Sequence, residues 1–242
     1  MIKSVLNWSG GKDSALALYH VLKQNEYHVD RLLTNVNSTY QRISMHGVRT
    51  ALLEMQATSI GIPLQQLLIG DQPSMVEYDE LMRDCLTTLT KEGVTDAIYG
   101  DIFLEDLRIY REARLQEVGM RAYFPLWKKD TTSLVHEFLD LGFKTITVCT
   151  KAALLDESFC GRIIDKDFLK ELPPNVDPCG ENGEFHTFVF DGPIFKKPVP
   201  FSMGKKILRE YEAPKNAADN CFTIDEPTNM GFWFCDLVPE IL

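Results

Sequence analysis

A glycine-rich stretch near the start of the chain constrains its fold more than any other feature, because it lies between an apolar run and a helical pattern. Adjacent glycines after a strand let backbone N–H groups converge on one point, and the helix that follows adds its free N–H groups and the positive end of its dipole. A lysine here supplies a mobile cation, two serines supply hydroxyl donors, and an aspartate can cap the helix or hold a metal that accompanies phosphates. The stretch therefore predicts a phosphate-binding loop. Its residues are Ser9, Gly10, Gly11, Lys12, Asp13 and Ser14.

Two common phosphate motifs do not fit this stretch. A Walker A loop needs Gly at the position of Leu6 and Ser or Thr at the position of Asp13, and a dinucleotide fingerprint needs a third Gly at Asp13. The remaining interpretations are a phosphate loop of another kind and a plain Gly-Gly turn with a capping Asp13. The agreement of the strand, turn and helix signals favours the phosphate loop.

Composition and charge limit the class of protein. The 242 residues, of which 45% are hydrophobic, are enough to bury a full core, so a soluble globular protein is expected. The formal net charge of -10 argues against a broad basic surface for nucleic acid, because neutralisation of phosphates by Lys and Arg dominates such binding. We therefore expect no nucleic-acid partner, although a local basic patch is compatible with this charge.

The six cysteines include no CxxC pair and no Cys/His cluster with the spacing of a zinc site. They indicate buried thiols in a reducing compartment. Met1 leads directly into a predicted strand, without the basic start and apolar stretch of a signal peptide, and no apolar run reaches the roughly 18 residues of a membrane span. We therefore predict a cytoplasmic protein with no membrane contact.

Short apolar runs alternate with amphipathic segments through the first half of the chain, which is typical of a parallel sheet with helices on both faces. We predict a doubly wound parallel α/β sheet over residues 1–153, whose ligands bind at the carboxyl ends of its strands. Beyond it, short helices, prolines and strand-like pieces predict a smaller C-terminal α+β domain over residues 154–242. The predicted strands are Ile2–Trp8, Val29–Asn35, Leu64–Ile69, Asp96–Gly100, Tyr123–Leu126 and Lys144–Cys149 in the first domain, and Glu184–Phe190, Ile207–Tyr211, Cys221–Ile224 and Gly231–Leu237 in the second.

Two segments near the loop carry polar candidates. Backbone groups near Asn35 and Val36 lie where an adenine ring usually sits in such a sheet, and the loop beside them favours this contact over an ordinary strand end. Ser44 and His46 precede the second predicted helix, where either side chain can meet a phosphate and His46 can move a proton. An ordinary helix start explains a lone histidine equally well, so both interpretations stay open.

The fourth predicted strand ends at Gly100, which directs Asp101 to the same edge of the sheet as the loop. A carboxylate there can position Mg²⁺ or an incoming amine, and a helix-capping role is the alternative. In the helix that follows, arginines recur every third residue, and exposed pairing of Arg108 with Glu112 explains most of that pattern. Arg108 lies closest to the strand end, so we predict that it contacts an anion.

The densest group of chemically active side chains lies in the turn from Cys179 to Thr187, which leads into a predicted strand. Alternation places Glu184 and His186 on one face of that strand. A half-exposed strand also accounts for such polar residues, but two carboxylates and an imidazole around flexible glycines favour function. We predict catalytic or substrate-binding roles for Glu181, Glu184 and His186.

The loop resembles the SGGxDS loop of the N-type ATP pyrophosphatases, or PP-loop enzymes, which cleave ATP to AMP and pyrophosphate while they activate a substrate. Further motifs make the chain similar to the diphthine-ammonia ligase family within that superfamily, from the loop through about Phe195. These motifs are Gly100-Asp101-Ile102, Arg108 with Glu112, Pro125-Leu126-Trp127, Gly161-Arg162, and the Gly180 to Thr187 segment that runs into Asp191-Gly192-Pro193.

The resemblance implies a nucleotide-binding α/β domain, a smaller C-terminal substrate domain, and ATP-dependent amidation of diphthine, a modified histidine on translation elongation factor 2. Family members typically carry Glu-Gly-Gly-Glu, an aromatic residue and Glu-Thr, whereas this chain has Asn182 at the second position and His186 in place of the last Glu. His186 replaces an acceptor-only anion with a group that can be neutral or cationic. Family members also tend to have a small residue at the position of Asp101. Both departures lie on the predicted substrate side and leave the ATP loop intact.

We therefore predict an AMP-forming ligase that uses ATP and Mg²⁺ to adenylate a carboxylate and then transfers free ammonia to it, giving an amide. Lys12 would stabilise phosphate charge, and Asp13 and Asp101 would hold the metal or orient the amine. The acceptor is diphthine on elongation factor 2 or a small carboxylate, and the sequence leaves open whether the protein is a homo-oligomer. One alternative is a tRNA-modifying PP-loop enzyme, which the acidic charge and the missing CxxC pair disfavour. The other is a non-catalytic module that binds adenine nucleotides.

Overall fold

Two sheets organise the chain. A computed structural model describes residues 1–43, 46–71, 73–211 and 230–240. The predicted strand Cys221–Ile224 lies outside the described residues, and so does Ser44 among the predicted site residues. The predicted α/β class is confirmed, because a mostly parallel sheet comes first and an antiparallel sheet follows.

The first sheet is mostly parallel. Its strands are β1 (Ile2–Asn7), β2 (Tyr27–Asn37), β3 (Arg42–Ile43), β4 (Leu64–Ile69), β5 (Asp96–Ile98) and β6 (Arg121–Tyr123). β1 lies between β2 and β5, β4 extends the sheet beyond β2, and β6 extends it beyond β5, all parallel; the short β3 pairs antiparallel with the end of β2. Because the chain leaves β1 toward one side and returns on the other, the carboxyl end of β1 is the switch point where such sheets bind ligands.

Helices cover both faces of the first sheet. They are α1 (Lys12–Gln24), α2 (Thr50–Ile60), α3 (Met75–Lys91) and α4 (Glu105–Glu117). Their buried side chains place α1 and α2 on one face and α3 and α4 on the other, since the two pairs join separate core clusters. α3 begins at a capping box, in which Ser74 Oγ accepts from the Glu77 N–H and the Glu77 carboxylate accepts from the Ser74 N–H. None of the helices in the described ranges is long and apolar enough to cross a membrane.

The second sheet is antiparallel and includes a strand that the sequence assigned to the first. After α5 (Thr131–Asp140) come β7 (Lys144–Lys151), α6 (Lys166–Glu171), β8 (Phe185–Asp191), β9 (Phe201–Tyr211) and β10 (Met230–Pro239), and the strand order is β8-β7-β10-β9. The prediction that Lys144–Cys149 belongs to the first sheet is wrong, because this segment pairs with β8 and β10. Its partner strands come much later in the chain, so its own alternation of Thr and apolar residues does not reveal them.

The two sheets share one core. Trp8 and Leu53 of the first part belong to the same continuous buried cluster as Phe188 and Val189 of β8. At the surface, Asp236 on β10 accepts hydrogen bonds from two arginines of the first part, Arg42 Nη1 at 2.9 Å and Arg49 Nη2 at 2.6 Å. The relative position of the two sheets is therefore fixed by packing and by an ion-pair anchor.

Gln56 on α2 connects both parts through a side chain that is completely buried. Its Nε2 donates to the carbonyl of Gly10 at 3.0 Å and to the carbonyl of Val189 at 2.6 Å, and its Oε1 accepts from Trp8 Nε1 at 2.9 Å. One amide thus satisfies three buried polar groups, two in or beside the glycine-rich loop and one on β8. The glycine-rich loop and β8 depend on it for their alignment.

Replacement of Gln56 by Leu tests this connection. We expect Gln56→Leu to lower the free energy of unfolding by about 3 kcal/mol, because two carbonyls and an indole N–H lose their partner inside the core. Urea-induced unfolding followed by circular dichroism measures the change.

The matched control is Gln116→Leu, which makes the same substitution on the exposed surface of α4. We expect its effect to stay within about 0.5 kcal/mol. Equal losses in both variants would contradict the role of Gln56 as a connector.

Candidate functional site

The predicted phosphate loop lies at the switch point, between β1 and α1. Gly10 has a φ of +76°, and a Cβ there would come within 2.7 Å of Leu53 Cδ2 and 2.8 Å of Gln56 Oε1, so this position requires glycine. The loop serines bond within the loop: Ser14 Oγ donates to the Gly11 carbonyl at 2.9 Å and lies 3.2 Å from Ser9 Oγ. Backbone shape and hydroxyl donors therefore agree with the prediction from the sequence.

The edge of β8 runs along this loop. The Val189 N–H donates to the Gly10 carbonyl at 2.9 Å, and the Lys12 N–H donates to Thr187 Oγ1 at 3.0 Å. A Cβ on Gly11 would lie 3.1 Å from the Thr187 carbonyl oxygen, so there is little room for a side chain. One N–H at the start of α1 is thus bonded to Thr187 rather than free, which the sequence did not predict.

Lys12 and Asp13 form an ion pair inside the site. Lys12 is only 3% exposed, and its Nζ lies 2.5 Å from Asp13 Oδ1. Burial alone would lower the pKa of Lys12, but the Asp13 carboxylate outweighs it and the pKa is raised. Lys12 is therefore a permanent cation with one bound carboxylate, and its ammonium group has further donors.

Glu181 joins the first sheet to the turn of the second part. Its Oε1 accepts from the Ile102 N–H at 3.0 Å, directly after Asp101. Burial, followed by the negative charge of Asp13, raises the pKa of Glu181 to about 7, and Asp101 adds to this effect. Three carboxylates, Asp13, Asp101 and Glu181, thus influence one another beside Lys12.

Asp101 has an arginine partner that the sequence did not single out. Arg111 Nε lies 2.9 Å from Asp101 Oδ2, and its guanidinium lies over the ring of Tyr99, 4.2 Å from the centroid. Burial raises the pKa of Asp101 and Arg111 opposes the rise. Arg108 bonds Glu112 at 2.8 Å and lies over Trp127 at 4.7 Å, so its contact with an anion stays a prediction. The sequence feature that could have identified Arg111 is its place in the series of arginines at every third residue, three residues after Arg108.

Glu184 is bonded inside the turn itself. It is 3% exposed, and its two oxygens accept from the Asp177 N–H at 3.0 Å, the Asn182 N–H at 2.9 Å and Asn182 Nδ2 at 3.1 Å. These bonds hold the turn that presents Glu181. A catalytic role for Glu184 stays a prediction that these contacts do not favour.

His46 and His186 stack on each other. Their ring centroids are 4.5 Å apart with an interplanar angle of 25°. Burial, with the nearby charge of Lys12, lowers the pKa of His186 to about 4, and burial together with His186 lowers the pKa of His46 well below its usual value. Both rings are therefore neutral at pH 7, and two of their buried nitrogens, His46 Nδ1 and His186 Nε2, have no hydrogen-bond partner among the described residues.

Asn35 and Val36 at the end of β2 are paired within the protein. Asn35 Nδ2 donates to the Tyr78 hydroxyl at 3.0 Å, while Val36 is fully buried and paired to both Ile43 and Leu68. Contact of Asn35 or Val36 with adenine stays a prediction.

In the described part of the chain, no group of three or more His, Cys, Asp or Glu side chains is placed to hold a metal ion.

A groove of about 480 Å³ lies away from the loop, between the end of β4 and α3. Its acidic lining disfavours the phosphates of a nucleotide. Its lining residues include Asp71, Glu77, Glu80 and Asp84. The residues that line the groove do not include those of the loop, where Lys12, Asp13, Asp101 and Glu181 lie.

The geometry defines a class of protein. A glycine-rich loop at the switch point of a doubly wound sheet, with a buried lysine and carboxylates from two strand ends, is the arrangement of a PP-loop α/β protein. In this chain, β8 of the antiparallel sheet bonds the loop, and the turn before β8 places Glu181 beside the end of β5.

Two family profiles match the chain. The profile described as "Diphthamide synthase N-terminal domain" matches residues 2–122, and "Diphthamide synthase C-terminal domain" matches residues 130–213. The chain therefore belongs to the diphthamide synthase family. The two matched ranges leave a gap between residues 122 and 130, and β7 pairs within the second sheet. The predicted domain boundary after residue 153 stays a prediction.

Curated relatives carry the name diphthine–ammonia ligase. The protein of Schizosaccharomyces pombe is 27% identical over 216 residues, which are 79% of this chain and 34% of that protein. The protein of Homo sapiens is 23% identical over 226 residues, which are 85% of each chain. This chain thus spans about a third of the S. pombe relative and most of the human one.

A solved structure with a local likeness is the U34-tRNA thiolase NcsA from Methanococcus maripaludis with its [4Fe-4S] cluster. It is 16% identical, and the likeness covers 58% of this chain and 57% of that one, with a TM-score of 0.34. At this score the likeness carries no argument about fold or function.

The stacked histidines predict a loss of stability in acid. Histidine in an unfolded chain titrates near 6.5, whereas the pKa of His186 in the folded protein is about 4, so the unfolded chain binds the proton first as the pH falls. We expect the stability contributed by a neutral His186 to be complete at pH 7 and to fall by about 2 kcal/mol as the pH approaches 4. His186→Gln should flatten this dependence, as measured by urea unfolding at several pH values.

The control is His136→Gln on the exposed face of α5, outside the pair. Its pH profile should follow that of the parent protein. If His186→Gln retains the full loss of stability in acid, the neutral state of the buried ring is not its cause.

Proposed function

We propose that the chain is an ATP-dependent ligase that adenylates a carboxylate with release of pyrophosphate and then transfers ammonia, giving an amide and AMP. The observation that carries this proposal is the meeting of the phosphate loop, Asp101 and Glu181 at one edge of the sheet, in a chain whose two parts both match the diphthamide synthase family. The name of the relatives supports diphthine as the acceptor. A small carboxylate is the alternative acceptor, because His186 and Asp101 depart from the family pattern on the substrate side.

ATP is the co-substrate that the loop fits. Gly10 and Gly11 have no side chains, which lets the loop pack closely against α2 and β8. Ser9 and Ser14 offer hydroxyls and Lys12 offers a buried positive charge, which together suit a triphosphate.

Mg²⁺ is the metal that accompanies ATP in this proposal. It commonly binds through one or two carboxylates together with substrate phosphates. Asp13 and Asp101 supply such a pair, and the charge of Asp13 contributes to the raised pKa of Asp101, a repulsion that a cation relieves. When bound, the ion would offset the charge of the phosphates.

In the first step, an oxygen of the acceptor carboxylate attacks the α-phosphorus of ATP, and the bond to the bridging oxygen of pyrophosphate breaks. Lys12 and the loop donors stabilise the negative charge that develops on the leaving pyrophosphate. The burial of Lys12 strengthens this effect, because its charge acts in a medium of low dielectric.

In the second step, ammonia attacks the acyl carbon, and AMP leaves with the electrons of the carbon–oxygen bond. The nitrogen must then lose a proton. Glu181, with a pKa of about 7, accepts it near neutral pH. The neutral rings of His46 and His186 stack on each other, and His46 Nδ1 and His186 Nε2 are buried without a hydrogen-bond partner among the described residues.

The cellular setting is part of the proposal. The cysteines that the structure describes are free and buried, which supports a reducing compartment such as the cytoplasm. The oligomeric state stays open.

Analysis of the ATP products tests the reaction class. With labelled ATP and an acceptor, drawn from diphthine-bearing elongation factor and a panel of small carboxylates, we expect AMP and pyrophosphate and an exchange of pyrophosphate into ATP. Lys12→Met should lower kcat about 100-fold or more, because the charge that stabilises the leaving group is lost.

The control is Lys23→Met, an exposed lysine in the last turn of the same helix, which should leave kcat unchanged. Thermal unfolding of Lys12→Met checks that the variant is folded. Formation of ADP and phosphate would refute the proposed reaction, and nucleotide binding without turnover under any acceptor would favour a nucleotide sensor.

Substitution of Glu181 by Gln tests the base. The amide oxygen of Gln still accepts from the Ile102 N–H, but the side chain takes up no proton. We expect amide formation to slow about 100-fold while pyrophosphate exchange, which precedes the proton transfer, continues. With the concentration of unprotonated ammonia held constant, amide formation by the parent should rise as the pH passes about 7, because Glu181 loses its proton there, and this rise should vanish in the variant.

The control is Glu157→Gln, an exposed glutamate near the second sheet, whose kinetics should match the parent. A parallel loss of exchange and amide formation in Glu181→Gln would place Glu181 in the first step and exclude it as the base of the second.

A further inference from the structure

β9 is exposed along almost its whole length. Every residue from Ser202 to Tyr211 is exposed, and within the described residues the strand pairs with β10 alone. Among the described residues its outer edge has no strand partner, and such an edge presents backbone N–H and C=O groups for pairing. Several large apolar side chains are exposed beside that edge: Met203 by 60%, Ile207 by 46%, Leu208 by 41% and Tyr211 by 44%.

The charge of this segment is opposite to that of the protein. Residues 192–211, which include β9, contain five basic residues and one acidic residue, Glu210, in a chain with a formal net charge of -10. The basic residues are Lys196, Lys197, Lys205, Lys206 and Arg209. Such a local reversal attracts an acidic partner and orients it toward β9.

One face of the β9–β10 strand pair lies against the segment that carries His46 and Gly47. Arg209 pairs with Phe232 and Ile207 with Phe234, so these four side chains share a face. On that face, Phe234 Cδ1 would lie 3.1 Å from a Cβ on Gly47, the neighbour of His46. Phe234 of β10 therefore lies beside the segment that carries His46.

A second copy of the protein that pairs in the register centred on Ile207 is a poor occupant of this edge. Antiparallel pairing of two β9 strands about Ile207 would bring Lys205 of one copy opposite Arg209 of the other, and like charges directly opposite are unfavourable. RNA is also a poor match, because the unpaired N–H and C=O groups of a strand and its apolar side chains complement another polypeptide.

We propose that β9 is a docking strand for an extended, acidic segment of a protein, which adds to the sheet as a further strand beside β9. The proposal rests on the proposed function only in naming this protein as the bearer of the acceptor carboxylate. Backbone pairing supplies affinity, Lys205 and Arg209 select acidic side chains, and Ile207 and Tyr211 contact apolar ones.

Peptide binding to the full chain tests the docking strand in the absence of ATP. The probes are a fluorescent peptide that alternates Glu with Val, the same peptide with Lys in place of Glu, and oligouridylate. We expect the acidic peptide to bind best. The double variant Lys205→Glu/Arg209→Glu should weaken its binding about tenfold or more, because two attractions become repulsions.

The matched control is Lys91→Glu/Lys166→Glu, which makes the same change of net charge at exposed positions on α3 and α6 and should bind like the parent. If the charge-reversed β9 variant does not fold, Ile207→Thr keeps a β-branched residue and should weaken binding severalfold through lost apolar contact.

Equal binding of the acidic peptide to the parent and the β9 variants would overturn the proposal, and so would tighter binding of oligouridylate. A dimer in sedimentation that the β9 variants dissociate would identify a second copy as the occupant instead. Because binding is measured without ATP, these outcomes are independent of whether the protein forms AMP and pyrophosphate.

Discussion

The edge of β8 against the glycine-rich loop is the interaction on which the rest of the structure depends. Two hydrogen bonds, Val189 N–H to the Gly10 carbonyl and Lys12 N–H to Thr187 Oγ1, attach the second sheet to the switch point of the first. The buried amide of Gln56 donates hydrogen bonds to both segments, at the carbonyls of Gly10 and Val189. A loop that in an open sheet would face solvent is thereby enclosed, and the acid-base groups of the second part come to lie beside it.

Enclosure also determines the electrostatics of the site. Lys12 keeps its charge because Asp13 lies against it, whereas Glu181 is held near the midpoint of its titration by burial and by the charges of Asp13 and Asp101. The pKa values of His46 and His186 are lowered instead, because burial disfavours the charged form of the imidazole ring. The site thus combines a fixed cation, a carboxyl group poised near neutrality and two uncharged acceptors.

The sequence predicted those parts of the fold that local signals encode. The turn chemistry of Gly10, the capping box at Ser74 and the strand end before Asp101 are all readable within a few residues, and the structure has each of them. The sheet to which β7 belongs depends on strands far away in sequence, and so do the contacts of Gln56 and Thr187 with the loop. Glu184 illustrates the same limit, since its spacing suggested chemistry whereas its bonds hold a turn.

The distance in sequence between the loop and Thr187 has a consequence for synthesis. The hydroxyl that bonds the start of α1 lies 175 residues after Lys12, so a ribosome must add those residues before the loop can have its final neighbours. Until β8 has been made, the N–H of Lys12 and the carbonyl of Gly10 lack the partners that they have in the folded protein.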